Sequence, residues 1–295
     1  MRLAVRGCAR AAILPCLLLF CSTALAQDTT VLAPEASDAR ARQVIQQSIQ
    51  ALGGAAYLDA QDSTRTGRFS RFEHNGSVTG TIKMVVMNKY PGRERIEYIF
   101  KRYFDAFLPL PLEAPLHTTN SALEVHNGAQ GWILGGGGVE DLPRDVLDHR
   151  EQERIRSVNV VFRERLHDPD LILRYAGLDV VDLKQVDWIE VSDGGPYTAR
   201  FAIEHSTHLP NRVVYHFRDP ESKQIMEEIE YYSNYHTFQG VVTPMQILRE
   251  HNGWLTTQFF IEEVKYNSGL SDAMFTREGL EAMAHGGKGN KNAKP

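Results

Sequence analysis

The sequence predicts a mainly β, α+β fold: a strongly curved antiparallel sheet with helices filling its concave side. Three observations carry that reading. A two-residue period runs through residues 62–134, broken by a proline-rich loop, and returns from 183 to 266. Turn pairs such as Asn75-Gly76, Asn127-Gly128 and Asn252-Gly253 punctuate both blocks. Helical spacing is confined to one stretch ahead of the first block and one between the two.

Residues 1–26 read as a cleavable export signal. Arg2, Arg6 and Arg10 form a basic start, Ala11 to Phe20 is apolar, and Ala24-Leu25-Ala26 is a small-x-small cleavage pattern. The apolar run is too short to cross a bilayer, which takes about 20 residues. Cys8, Cys16 and Cys21 all lie within the expected signal, and bulky Phe20 precedes Cys21 where a lipid-attachment site takes a small residue. Cleavage after Ala26 removes three arginines and no acid, taking the formal charge from −5 to −8. The expected product is a cysteine-free, acidic periplasmic protein with no disulfide, no thiolate chemistry and no attraction for nucleic acid.

Residues 27–36 are expected to be a flexible leader. Ser37 to Leu52 follows as an amphipathic helix, with Ala41, Val44, Ile45, Ser48, Ile49 and Leu52 on one face and Gly53-Gly54 as the stop. Strands are expected at 64–72 and 78–87, at 93–100 with Glu94, Ile96, Tyr98 and Phe100 on one face, and at 123–126 and 130–134. The segment Asp105 to Pro115, with three prolines, must be irregular, and Gly135 to Gly138 reads as a flexible joint. Residues 141–175 form the helical insertion, with Asp141 as its cap and Leu171 to Tyr175 as a last short turn. Six strands are then expected within 183–192, 197–205, 212–218, 224–235, 241–251 and 255–266. Residues 37–284 would thus make one domain, with 285–295 a disordered Gly/Asn/Lys tail.

Chemistry is sparse. Gly76-Ser77-Val78-Thr79-Gly80 lacks the spacing of a nucleophile elbow and lies in a hairpin. Among eleven histidines, His205 and His208 are a close pair whose three-residue step puts them on opposite strand faces. His149 sits in His149-Arg150-Glu151-Gln152-Glu153, which is no His-Glu-x-x-His motif, and His216, His236 and His251 fall on separate strands. Alternation makes Glu227, Glu228 and Glu230 read mostly as a solvated outer face. The aromatic residues, 9% of the chain, instead cluster with aliphatics at Tyr98, Phe100, Tyr103, Phe104, Phe107 and the leucines of the 108–116 loop. So much apolar surface must cap a core or line a hydrophobic cavity. No cofactor or metal is expected.

Short segments carry a family resemblance: Ala51-Leu52-Gly53-Gly54, Gly80-Thr81-Ile82-Lys83-Met84, Tyr90-Pro91-Gly92-Arg93-Glu94-Arg95-Ile96-Glu97, Asn127-Gly128-Ala129-Gln130-Gly131-Trp132, Leu209-Pro210-Asn211-Arg212-Val213 and Gly240-Val241-Val242-Thr243-Pro244. Over most of residues 40–276 the chain resembles the periplasmic outer-membrane lipoprotein-sorting proteins, the LolA/LolB-like superfamily. The resemblance implies an incomplete β-barrel with a helical lid over a hydrophobic cavity that takes acyl chains without covalent chemistry. In the sorting carrier an arginine precedes the proline of the second β turn; here Tyr90 stands there, with Arg93 and Arg95 close behind.

The candidate binding residues are therefore Ile82, Met84, Val86, Tyr90, Arg93, Arg95, Ile96, Tyr98, Phe100, Trp132, Ile229, Tyr231, Phe259 and Ile261. The expected ligand is a lipid or the acyl chain of a lipoprotein. The alternatives are an envelope-stress sensor or scaffold binding a protein partner, and a hydrolase whose two histidines and a carboxylate would converge only in the fold.

Overall fold

A computed structural model describes residues 34–99, 121–135, 137–219 and 222–289. The expected export signal, Phe100 with the proline-rich loop, and residues 290–295 lie outside them. No helix among the described residues is long and apolar enough to cross a membrane.

Among the described residues, thirteen strands form one antiparallel sheet. The first meander comprises β1 (Asp62–Phe72), β2 (Val78–Lys89), β3 (Arg93–Ile99), β4 (Ser121–Asn127), β5 (Gln130–Gly135) and β6 (Gly138–Asp141). The second comprises β7 (Ile172–Val181), β8 (Lys184–Ser192), β9 (Thr198–Glu204), β10 (Pro210–Arg218), β11 (Ile225–Phe238), β12 (Val241–His251) and β13 (Trp254–Tyr266). The two meanders join where β1 pairs with β13, leaving β6 and β7 as free edges, so the sheet does not close. Asp62 reinforces this seam: its carboxylate accepts the backbone N–H groups of Ser268, Gly269 and Leu270, just past β13.

Curvature follows from which residues meet. His126 on β4 and Tyr215 on β10 stand seven strands apart, about 34 Å in a flat sheet, yet both border one cavity. Residues facing inward from both meanders pack into one core with helix α1 (Pro34–Ala51). Ala41, Val44, Ile45, Ser48, Ile49 and Leu52 are all buried, as the helical spacing predicts. The helix begins at Pro34, so Ser37 stands inside its first turn and does not cap it. Helix α2 (Ala55–Leu58) follows the Gly53-Gly54 stop.

The insertion is helix α3 (Arg144–Arg154), then α4 (Val158–Val160), which continues as a π-helical turn, Val161–Arg165. Pro143, and not Asp141, occupies the N-cap of α3. Two further expectations are corrected. Leu171 to Tyr175 belongs to strand β7 from Ile172 onward, because Leu173 and Tyr175 pack inward on the common core. Gly135 and Gly138 pair with each other as the last rung between β5 and β6, where a flexible joint was expected.

Helix α5 (Arg277–Gly289) runs four residues past His285, where a disordered tail was expected to start. It covers the opposite, convex face, where Leu280 and Phe275 pack with Leu123, Val125 and Trp132 in a second core.

Candidate ligand-binding cavity

Between the concave sheet face and the insertion lies a cavity of about 630 Å³, within the range of small-molecule sites. One wall is apolar. Phe69 on β1, Met84 and Val86 on β2, Ile96 and Tyr98 on β3, Ile247 on β12 and Phe259 on β13 all border it. The register puts them together: Phe69 faces Phe259 across one ladder, while Met84 faces Tyr98 and Val86 faces Ile96 across another. The Phe69 and Tyr98 rings meet edge to face with centroids 6.1 Å apart.

The remaining wall is charged and is made jointly by the sheet and the insertion. Arg150 on α3 places Nη2 2.6 Å from Glu94 Oε2 on β3, and its Nε lies 3.9 Å from Glu124 Oε1. Glu124 is fully buried and also pairs with His126. Across the cavity, Arg249 on β12 pairs with Glu230 on β11 at 2.6 Å and reaches Glu153 of α3 at 3.7 Å. Burial opposes ionisation of Glu94, but Arg150, His126 and Arg65 outweigh it and hold the carboxyl below its usual range. Glu228 behaves oppositely: burial and the neighbouring Glu153 carboxylate push it up to about 9. Burial also raises the Tyr98 and Tyr215 hydroxyls, so both remain protonated hydrogen-bond donors.

The insertion is tied down at its far end by Arg163. Its guanidinium donates to the carbonyls of Tyr57 and Ala60 and lies 3.8 Å from the centroid of the Tyr90 ring. Tyr57 Oη donates to Asn159 Oδ1 at 2.9 Å. Tyr90 on the sheet side is thus in contact with an arginine of the insertion.

Met84, Val86, Ile96, Tyr98, Phe259, Tyr90 and Arg93 thus border the cavity, while Ile82 and Ile261 sit in the core beside it. Four expected residues point elsewhere. Arg95 lies on the convex side, bonded to Glu97 at 2.6 Å and to the Met274 carbonyl at 3.3 Å. Trp132 is buried beneath α5 in the second core. Ile229 borders the cavity, yet its side chain packs in a third apolar cluster with Val186, Trp188, Ala202 and Val214, on the sheet's other face. Tyr231 donates to Glu250 at 2.7 Å, under the Arg212 guanidinium.

The inward residues of β11 are Glu228, Glu230 and Tyr232, so the expected solvated face is the one that borders the cavity. Sequence reasoning missed Glu94, Arg150, Glu153 and Arg249 as well, because charged residues there resembled ordinary surface. His251, expected to be scattered, converges with His149 on Glu228: His251 Nδ1 is 3.2 Å and His149 Nε2 3.9 Å from Glu228 Oε1.

No protein-family model and no curated protein sequence matches the chain. Solved structures do. A DUF1329 family protein from Desulfovibrio piger superposes with TM-score 0.55 at 17% identity, covering 81% of this chain and 98% of that one. A putative outer membrane lipoprotein-sorting protein domain from Vibrio parahaemolyticus gives 0.54 at 11% identity, covering 83% and 99%. A LolA superfamily protein from Nitrosomonas europaea gives 0.51 at 12%, covering 81% and 99%. At these identities the likeness is one of fold: the chain shares a mainly β architecture with these three structures, here an open, curved, antiparallel sheet.

Proposed function

We propose that this protein is a periplasmic, non-catalytic carrier of an amphipathic ligand, a lipid or the acyl chain of a lipoprotein. The observation that supports this best is the two-sided cavity. Its wall of Phe69, Met84, Val86, Ile96, Tyr98 and Phe259 suits an alkyl chain, and each methylene buried there contributes about 0.8 kcal/mol. The opposite wall of paired arginines and glutamates suits a polar head and repels a fully apolar one. The fold shared with LolA-type proteins supports the same reading. Native mass spectrometry of protein purified from bacterial membranes should detect one acyl species per chain. Delipidated protein should bind a fluorescent fatty acid, and Tyr98→Glu should weaken that binding at least tenfold. A protein that binds no acyl probe overturns the reading.

The convergence of His149 and His251 on Glu228 supports a second reading, a hydrolase acting at the cavity's charged end. Turnover of a chromogenic acyl ester that disappears in Glu228→Gln would favour it over carriage.

A further inference from the structure

Where helix α3 meets strand β11, three metal-type donors come together. His149 and Glu153 are one helical turn apart on α3 and share a face. Glu228 approaches them from β11. His149 Nε2 is 3.5 Å from Glu153 Oε1 and 3.9 Å from Glu228 Oε1, and one donor atom of each residue lies within 4.8 Å of the other two. We propose that His149, Glu153 and Glu228 form a binding site for one divalent metal ion of the zinc class, clamping the helical insertion to the sheet.

Four features support it. Donors held around 2.1 Å from one tetrahedral ion stand about 3.4 Å from each other, near the 3.5 Å and 3.9 Å that separate His149 from the two carboxylates. An imidazole with two carboxylates suits a borderline divalent ion, and leaves a fourth position for water. Two carboxylates this close repel unless a proton or a cation lies between them. The donors are also held from outside, as metal ligands commonly are. The ring of Phe217 packs edge-on against His149 with centroids 4.9 Å apart. His251 Nδ1 lies 3.2 Å from Glu228 Oε1, while Asn252 Nδ2 faces the other ring nitrogen at the same distance. The nearby cation does not block the site: Arg249 approaches Glu153 through Oε2, whereas His149 faces Oε1, and Arg249 bonds more closely to Glu230.

The site stands independently of what the cavity carries. Chelator-treated full-length protein, titrated with zinc sulfate alone by calorimetry, should bind one equivalent. His149→Ala and Glu228→Gln should each weaken binding at least tenfold. His216→Ala should bind like wild type, because the His216–Glu227 pair, 3.1 Å apart on the sheet's other face, has no third donor among the described residues. Circular dichroism melts provide a second readout: zinc should raise the midpoint of wild type and of His216→Ala, and leave that of His149→Ala unchanged. Absence of saturable binding, unchanged affinity in His149→Ala, or equal loss in His216→Ala would overturn the proposal.

Discussion

Arg150 and Glu94 join the helical insertion to the first meander, with Nη2 and Oε2 2.6 Å apart. Both side chains are about 30% exposed, so the pair is partly screened and worth about 1 kcal/mol. Glu94→Gln should lower stability at pH 7 by about that amount. The sign of the pH dependence follows from the depressed carboxyl. Its contribution is present above the ordinary value of 4.5 and is lost as pH falls through the lower folded value. Urea unfolding at pH 7 should therefore separate wild type from Glu94→Gln, and the gap should close on acidification below pH 4.5.

The two faces of the sheet can be told apart by binding. Tyr98 borders the cavity and Tyr231 points away from it. Tyr98→Ala should weaken a fluorescent fatty acid by about tenfold, near 1.4 kcal/mol, whereas Tyr231→Ala should leave affinity unchanged. Equal losses in the two variants would show that the faces are misassigned.

Helix α1 anchors the shared core through Ile45, which is fully buried. Ile45→Ala removes packed methyl groups from a site closed on every side and should cost about 2–5 kcal/mol. The denaturant midpoint should fall without a change in slope.

Gly67 sits at the irregularity where the pairing of β1 with β13 shifts register. A Cβ built there would stand 2.1 Å from the Phe260 carbonyl oxygen, a backbone atom that cannot swing aside. Gly67→Ala should therefore destabilise the protein by about 1–3 kcal/mol, despite the lower entropy of an unfolded alanine. A melting midpoint equal to or above wild type would contradict this.

Much of the architecture is legible from period alone. The buried stripe of α1 and the inner face of β2, with Ile82, Met84 and Val86, are placed correctly because apolar residues recur there at the helix and strand periods. Strand β11 breaks that rule. Ile229 packs in a small convex cluster while Glu228 turns inward to His251 and Glu230 to Arg249, so polarity no longer marks the inner face. A one-residue error in phase then reverses every side chain, and that is what happens to Ile229 and Tyr231. Arg95 and Trp132 mislead for a related reason: α5 buries the convex face of β3–β5, giving those strands apolar surface on both sides. Leu171 to Tyr175 is a short apolar run whose length cannot separate strand from helix. The His149 cluster needs a strand far along the chain, and only the His149–Glu153 spacing on α3 is visible locally.

Because β1 pairs with β13, the sheet is joined through strands near opposite ends of the chain. Each meander can zip up from neighbouring hairpins, but the union of the two must wait until residues 254–266 have been delivered. Until that moment β1 offers an unpaired edge of eleven residues to any passing strand. A chain made from its N-terminal end onward would therefore remain vulnerable to aggregation until β13 is available to pair.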